Sequence, residues 1–275
     1  VGPSPQTPLK GESLAMVESA FYLPRGEGRF LATAHTEGPW DPRAQHFGPP
    51  SALLVRALEN LATDRKSALA RVTVEILGPA PLTELTVHAG VVRPGRSVEL
   101  LTAELTAGHR PVARASAWRF VTSDTESAAT PSPGALPAPE DCPPADWPQD
   151  WEMGGYLHAM EWRGVSGSPA GHGAAAVWAR QLVQLVEGEE PSPLQRLFTV
   201  ADSGNGVSSR LDPRDWTFLN SELTVHLQRP PAGEWIGIDG DTVIGPHGVG
   251  TAHSTLHDLG GPVAFGAQAL LVRRR

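Results

Sequence analysis

The chain has a single cysteine, Cys142, in 275 residues. That excludes an internal disulfide and any multi-cysteine metal centre. Lysine is nearly absent, with Lys10 and Lys66 the only two, and the formal charge is −8. An acidic balance disfavours a coat for nucleic acid or for an anionic membrane, since both reward a basic face. No run approaches the ~18 consecutive apolar residues that a membrane-spanning helix needs. The first twenty residues carry Pro3, Pro5, Pro8, Lys10, Glu12 and Glu18 without the apolar core of a signal peptide. The expectation is a soluble, cytoplasmic chain with neither nucleic acid nor membrane as partner. No Gly-x-Ser-x-Gly elbow supports a serine hydrolase, and Gly171-His172-Gly173 lacks the rest of a dinucleotide fingerprint. His253 and His257 could share a strand face, but their spacing supplies no third metal ligand. The sequence calls for no metal and no cofactor.

What is present suffices for two packed domains: 40% of residues are hydrophobic, and one domain usually takes about 100–200 residues. Between Thr122 and Asp150 the chain is rich in Pro, Ser, Thr and Ala and poor in bulky aliphatics. Such a stretch reads as an extended linker that cannot bury enough to order itself. It divides the chain into an N-terminal domain, 12–121, a linker, 122–150, and a C-terminal domain, 151–275.

The two domains resemble each other. At an offset of 151 residues, Val72-Thr73-Val74-Glu75-Ile76-Leu77-Gly78-Pro79 falls on Leu223-Thr224-Val225-His226-Leu227-Gln228-Arg229-Pro230. At the same offset Pro111–Ala117 falls on Pro262–Gln268, while Val92, Val98 and Leu105 meet Val243, Val249 and Leu256. One offset holding over such a length indicates duplication. Within the repeated block apolar and polar residues alternate, with turn signals at Arg93-Pro94-Gly95 and Gly108-His109-Arg110-Pro111. That predicts consecutive antiparallel strands. One helix precedes them in each half. Pro49-Pro50 opens the first, with Leu53, Leu54, Ala57, Leu58 and Leu61 at helical spacing; Pro191-Ser192-Pro193 opens the second, running to Asp202. Upstream of each helix a further strand is predicted, Arg29 to Thr36 and Ala176 to Glu187. Matching the two helices by amphipathic phase sets Pro193 on Pro50 and Asp202 on Glu59, and leaves the loop Ser208 to Phe218 eight residues longer than its counterpart.

Differences between the copies mark the candidate site. Asn220 lies where the first half has Leu69, and Gln268 where it has Ala117. A buried amide costs about 1–3 kcal/mol if unpaired, so Gln268, in an otherwise apolar strand, requires partners. Asp202 is a third polar group able to point inward. One bland reading has the glutamine pairing with backbone and the aspartate capping its helix. The co-occurrence of an acid and two amides in one half favours a site.

The segments His46-Phe47-Gly48-Pro49-Pro50-Ser51, Pro193 to Asp202, Phe218 to Pro230 and Gly261 to Arg273 resemble the double-hotdog acyl-CoA thioesterases, particularly the bacterial acyl-CoA thioesterase II type. The resemblance spans nearly all of the chain except the linker and the first residues. It implies an α+β fold of two tandem hotdogs, each a central helix wrapped by an antiparallel sheet, the two sheets joining edge to edge. It also implies acyl-CoA as substrate, and copies of the chain able to associate through their sheets. The family's site is an aspartate on the second helix, a threonine on the next strand and a glutamine on the last, which together activate a water. Asp202 and Gln268 match; Asn220 stands in the threonine position and can hold a water without offering a hydroxyl. His46, Phe47 and Gly48, at the first helix start, and Thr224, a nearby hydroxyl, complete the candidates as substrate-binding residues. Alternatives are a catalytically impaired acyl-binding hotdog and a hotdog enoyl-CoA hydratase, although Ser203 to Val207 offers no histidine after Asp202.

Overall fold

The computed structural model describes residues 19–148 and 154–275; the expected domain limits at 12 and 150/151 lie outside them. The first half runs β1 (Ala20–Pro24), β2 (Arg29–Ala32), α1 (Gly48–Glu59), β3 (Ser67–Ile76), β4 (Glu84–Arg93), β5 (Val98–Ala107) and β6 (Arg110–Val121). The second runs β7 (Met160–Ser166), β8 (Ala175–Gln181), β9 (Gln184–Val186), α2 (Pro193–Ala201), α3 (Gly204–Val207), β10 (Trp216–Asn220), β11 (Glu222–Leu227), β12 (Ile236–Ile244), β13 (Val249–Asp258) and β14 (Gly261–Arg274). Among the described residues all fourteen strands form one continuous sheet, in the order β7-β8-β12-β13-β14-β11-β3-β6-β5-β4-β2-β1-β9, with β10 also on β14. The architecture is the expected double hotdog.

The duplication is visible in the register. Strands β3 and β11 pair antiparallel with Thr73 opposite Thr224, flanked by Glu75 opposite Glu222 and Arg71 opposite His226. Each of these pairs maps onto itself or its neighbour at the 151 offset, so an approximate two-fold axis passes through Thr73 and Thr224. Their hydroxyls are bonded, Thr224 Oγ1 lying 3.1 Å from Thr73 Oγ1. Even the irregularities correspond. The register of β3 shifts between Leu69 and Arg71, and Ser221, equivalent to Ala70, separates β10 from β11.

Period-2 burial puts Val72 and Val74 inside from one half, and Leu223 and Val225 from the other. They cover α1 and α2. Proline at the first turn of each helix fits a backbone already fixed for helix. Leu53, Leu54, Val55 and Leu58 of α1 and Leu197 and Phe198 of α2 are fully enclosed. The helices lie antiparallel, the start of each meeting the end of the other.

Several expectations are corrected. The predicted strand Ala176 to Glu187 is two strands: β8 stays in its own half, while β9 crosses to pair with β1 of the first half. That pairing is parallel, so the sheet is not antiparallel throughout. The second half has two helices rather than one, because the helix stops at Ala201 and Asp202 is its C-cap before α3 begins. The linker is ordered in part. Trp178 Nε1 donates to Pro137 O at 2.8 Å, Gly164 N–H to Pro143 O at 2.8 Å, and Cys142 is buried against Pro137. Backbone carbonyls of a proline-rich segment thus dock it on the second half's part of the sheet, where side-chain hydrophobicity gave no signal. His257 is buried and His253 exposed, since a register shift between Leu256 and His257 breaks the alternation. Among the described residues no group of three His, Cys, Asp or Glu side chains is placed to hold a metal, and no helix is long and apolar enough to cross a membrane.

Candidate active site

Asp202 sits in the turn between α2 and α3, facing the start of α1 across the helix pair. Its side chain is only 5% exposed. Asn220 Nδ2 donates to Asp202 Oδ1 at 2.8 Å, and Gln268 Nε2 approaches the same oxygen at 3.4 Å. The backbone N–H of Phe47 donates to the carboxylate from the other half. Three elements far apart in sequence therefore converge on one acid. Burial raises its pKa to about 6, against the opposing pull of the Asn220, Phe47 and Gln268 donors.

Gln268 does more than touch the acid. Its Nε2 donates to Asp202 O at 3.0 Å and its Oε1 accepts Asn205 N–H at 3.0 Å. The amide thus clamps the α2–α3 turn at both ends and satisfies its own burial. Gly204 permits this approach, because a Cβ there would stand 2.8 Å from both Gln268 Oε1 and Ser254 Oγ. The backbone-pairing reading of Gln268 holds, and the same side chain also reaches the acid.

The start of α1 is as tightly placed. A Cβ on Gly48 would fall 2.1 Å from Thr199 O, so glycine alone lets the two helices meet here. Gly48 N–H donates to His46 Nδ1 at 3.0 Å. Nδ1 is therefore an acceptor, and burial lowers the ring's pKa to about 3. His46 is neutral, and its 3.6 Å approach to Asp202 Oδ2 is not an ion pair.

The structure brings Asp202, Asn220, Gln268, His46, Phe47 and Gly48 together. It does not bring Thr224. That side chain lies on the outer face of the sheet, opposite Ala267 and Thr73, donates to Glu222 Oε2 and lies 3.1 Å from Thr73 Oγ1. The alternation that buries Leu223 and Val225 turns it away from the helices.

Sequence reasoning missed Tyr156, Ser203 and Asn205. The Tyr156 ring stacks on His46 at 3.8 Å with planes 3° apart. Its hydroxyl donates to Thr199 O at 2.9 Å and lies 2.9 Å from Ser203 Oγ. The available signal was Gly154-Gly155 before it: Gly155 has φ +56° and passes against Glu37, where a Cβ would lie 2.4 Å from that residue's own Cβ.

Two family models cover most of the chain. The N-terminal domain of acyl-CoA thioesterases matches residues 36–120 and the C-terminal domain matches 139–272. The chain belongs to the acyl-CoA thioesterase family. Its members are thioester hydrolases, and this chain is accordingly an enzyme of that class. Solved structures agree on the fold. A hot dog protein of unknown function from Alicyclobacillus acidocaldarius superposes with TM-score 0.72 at 17% identity, over 93% of this chain and 97% of that one. An acyl-CoA thioesterase II, TesB2, from Mycobacterium marinum gives 0.63 at 15% identity, over 92% and 96%. No curated protein shows significant similarity to the sequence.

Proposed function

We propose that the protein hydrolyses acyl-CoA thioesters with Asp202 as general base. The observation that carries this reading is the convergence of Asn220, Gln268 and the Phe47 N–H on a single buried carboxylate. The family supports the substrate class; the residues supply the chemistry. A water held by Asp202 and Asn220 attacks the thioester carbonyl carbon while the carboxylate takes its proton. Negative charge develops on the carbonyl oxygen at the start of α1, where helix N–H groups favour it. Gly48 N–H suits that role, since its acceptor in the structure is a neutral ring nitrogen that a charged oxygen outcompetes. The C–S bond then breaks, and the proton on Asp202 passes to the departing thiolate. Gln268 fixes the turn that aims the acid, and Tyr156 fixes the His46 ring.

A second reading, acyl-CoA binding without turnover, is favoured by one feature: Asp202 and both N–H groups at the α1 start are already satisfied within the chain. Hydrolysis of an acyl-CoA chain-length panel, followed by thiol release in wild type and Asp202→Asn, separates the two. Turnover by wild type that collapses in the variant supports the base; an inert wild type that still binds acyl-CoA supports the binding module.

A further inference from the structure

The opposite end of the helix pair holds the counterpart of the Asp202 cluster. Glu59, the last residue of α1, faces the start of α2 as Asp202 faces the start of α1. Ser192 Oγ, the N-cap of α2, lies 2.8 Å from Glu59 Oε2, and Gln195 Nε2 donates to the same oxygen at 2.8 Å. Burial raises the pKa of Glu59 against these two donors. This acid opens onto a cavity of about 480 Å3. That is within the range of ligand sites, roughly 300–1,000 Å3.

The wall is apolar where a chain would lie, formed by Leu58, Leu69, Leu194 and Leu227. Its rim is cationic, with exposed Arg65 and Lys66. A smaller hollow of about 410 Å3 shares Arg65 and Arg119 with it and adds Arg96, with Asp64 and Glu99 beside them. In a chain of net charge −8, these four cations outnumber the acids Glu59, Asp64 and Glu99 around the two hollows. Arg119 stands opposite Leu69 as Leu270 stands opposite Asn220, so the first half has a guanidinium where the second has an aliphatic. It is held by Glu99 at 2.8 Å and by Leu61 O at 2.8 Å, and closes the α1 end of the cavity.

We propose that this cavity is a second ligand site, which binds a long-chain acyl anion with its tail along the leucines and its anionic head on Arg65 and Lys66, without hydrolysing it. The identity of the ligand rests on the acyl-CoA reading of the Asp202 cluster; the cavity and its rim do not. Hydrolysis is absent here because the two amides of the other cluster are Leu69 and Ala117. Twelve helical residues at about 1.5 Å each place the two acids roughly 18 Å apart, so the sites are separate.

Calorimetric titration of wild type with dodecyl-CoA, a thioether that cannot be cleaved, should show two binding events per chain. Arg65→Glu/Lys66→Glu should weaken one event at least tenfold, and Ser67→Trp, which fills the cavity from the strand face that carries Leu69, should remove it. Both variants should keep acyl-CoA turnover within about twofold. Dodecanoate in place of the thioether identifies the natural source. Occupancy by dodecanoate assigns the site to the free acid; occupancy by the thioether alone assigns it to the carrier-linked form. A single event insensitive to both variants overturns the second site. So does loss of the only event together with turnover, because the cavity would then belong to the Asp202 site. A wild type that binds two thioethers but hydrolyses nothing would remove the hydrolase reading and leave the second site standing.

Discussion

The two ends of the α1–α2 pair are the same place in the fold, built twice and furnished differently. At one end a short acid, Asp202, is 4% exposed and gripped by Asn220, Gln268 and a backbone N–H from the other half. At the other a longer acid, Glu59, is half-buried, answers to Ser192 and Gln195, and looks onto open space. Both helices end in an acid aimed at their partner's start, so the acid alone does not make the difference. The sheet does. Asn220, Gln268 and Leu270 line one end, and Leu69, Ala117 and Arg119 line the other, at identical registers.

The sharpest way to break this comparison is to remove the charge at one end. Asp202→Asn keeps the shape and deletes the proposed base, so turnover should fall by roughly 10²–10⁴, measured as thiol release. Glu59→Gln should leave turnover within about twofold. Equal losses in the two would abolish the distinction. Gln268→Ala removes both the clamp on the α2–α3 turn and a contact to the acid, and should cost about 1–3 kcal/mol in denaturant unfolding. It should retain more turnover than Asp202→Asn, because the proposed base remains.

Acidity offers a second test of the same asymmetry. The pKa of Asp202 is raised in the folded chain from 3.8 to about 6. Its contribution to stability is therefore fully present below pH ~3.8 and is lost as pH rises through about 6. Ionisation, which folding resists, is what base catalysis needs. The pH profile of kcat/KM should show an acid limb with a midpoint near 6. Unfolding of Asp202→Asn compared with wild type should show the variant gaining relative stability from pH 4 to 7. A flat kcat/KM profile between pH 5 and 7 would exclude Asp202 as the titrating base. The smallest effect belongs to the seam. Thr224→Val breaks its bond to Thr73 and should cost about 0.2–1 kcal/mol with turnover unchanged. A loss of turnover with stability intact would return Thr224 to the site.

Much of this was legible in the sequence. The 151-residue offset picks out Thr73 and Thr224, the pair at the centre of the central strand pairing, and the separate match of the helices set Asp202 against Glu59, the acids at the two helix ends. Asn220 and Gln268 stood out because they broke the repeat. What broke no repeat stayed hidden. Tyr156 reads as one more buried aromatic until its stacking on His46 is seen, and Thr224 looked near the site because sequence distance ignores which face a strand presents. The polar partners of Glu59 come from the other half, so comparing strand positions within a half could not find them. The docked stretch around Pro137 is held by its carbonyls, which composition does not encode. A three-residue strand such as β9 carries too little pattern to announce where it pairs.

That short strand ties the halves together more firmly than the duplication suggests. The first half does not own its last edge: β1 is completed by β9, a segment that follows the linker. A polypeptide stopped at Val121 would carry bare N–H and C=O groups along β1, and along β3 where β11 had been. Exposed edges of that kind recruit other strands, so such a fragment is a seed for self-association rather than a miniature of the enzyme. Supplied with the complementary fragment, the same two edges become addresses. The gene could then be split within the linker, and the two products would have reason to find each other.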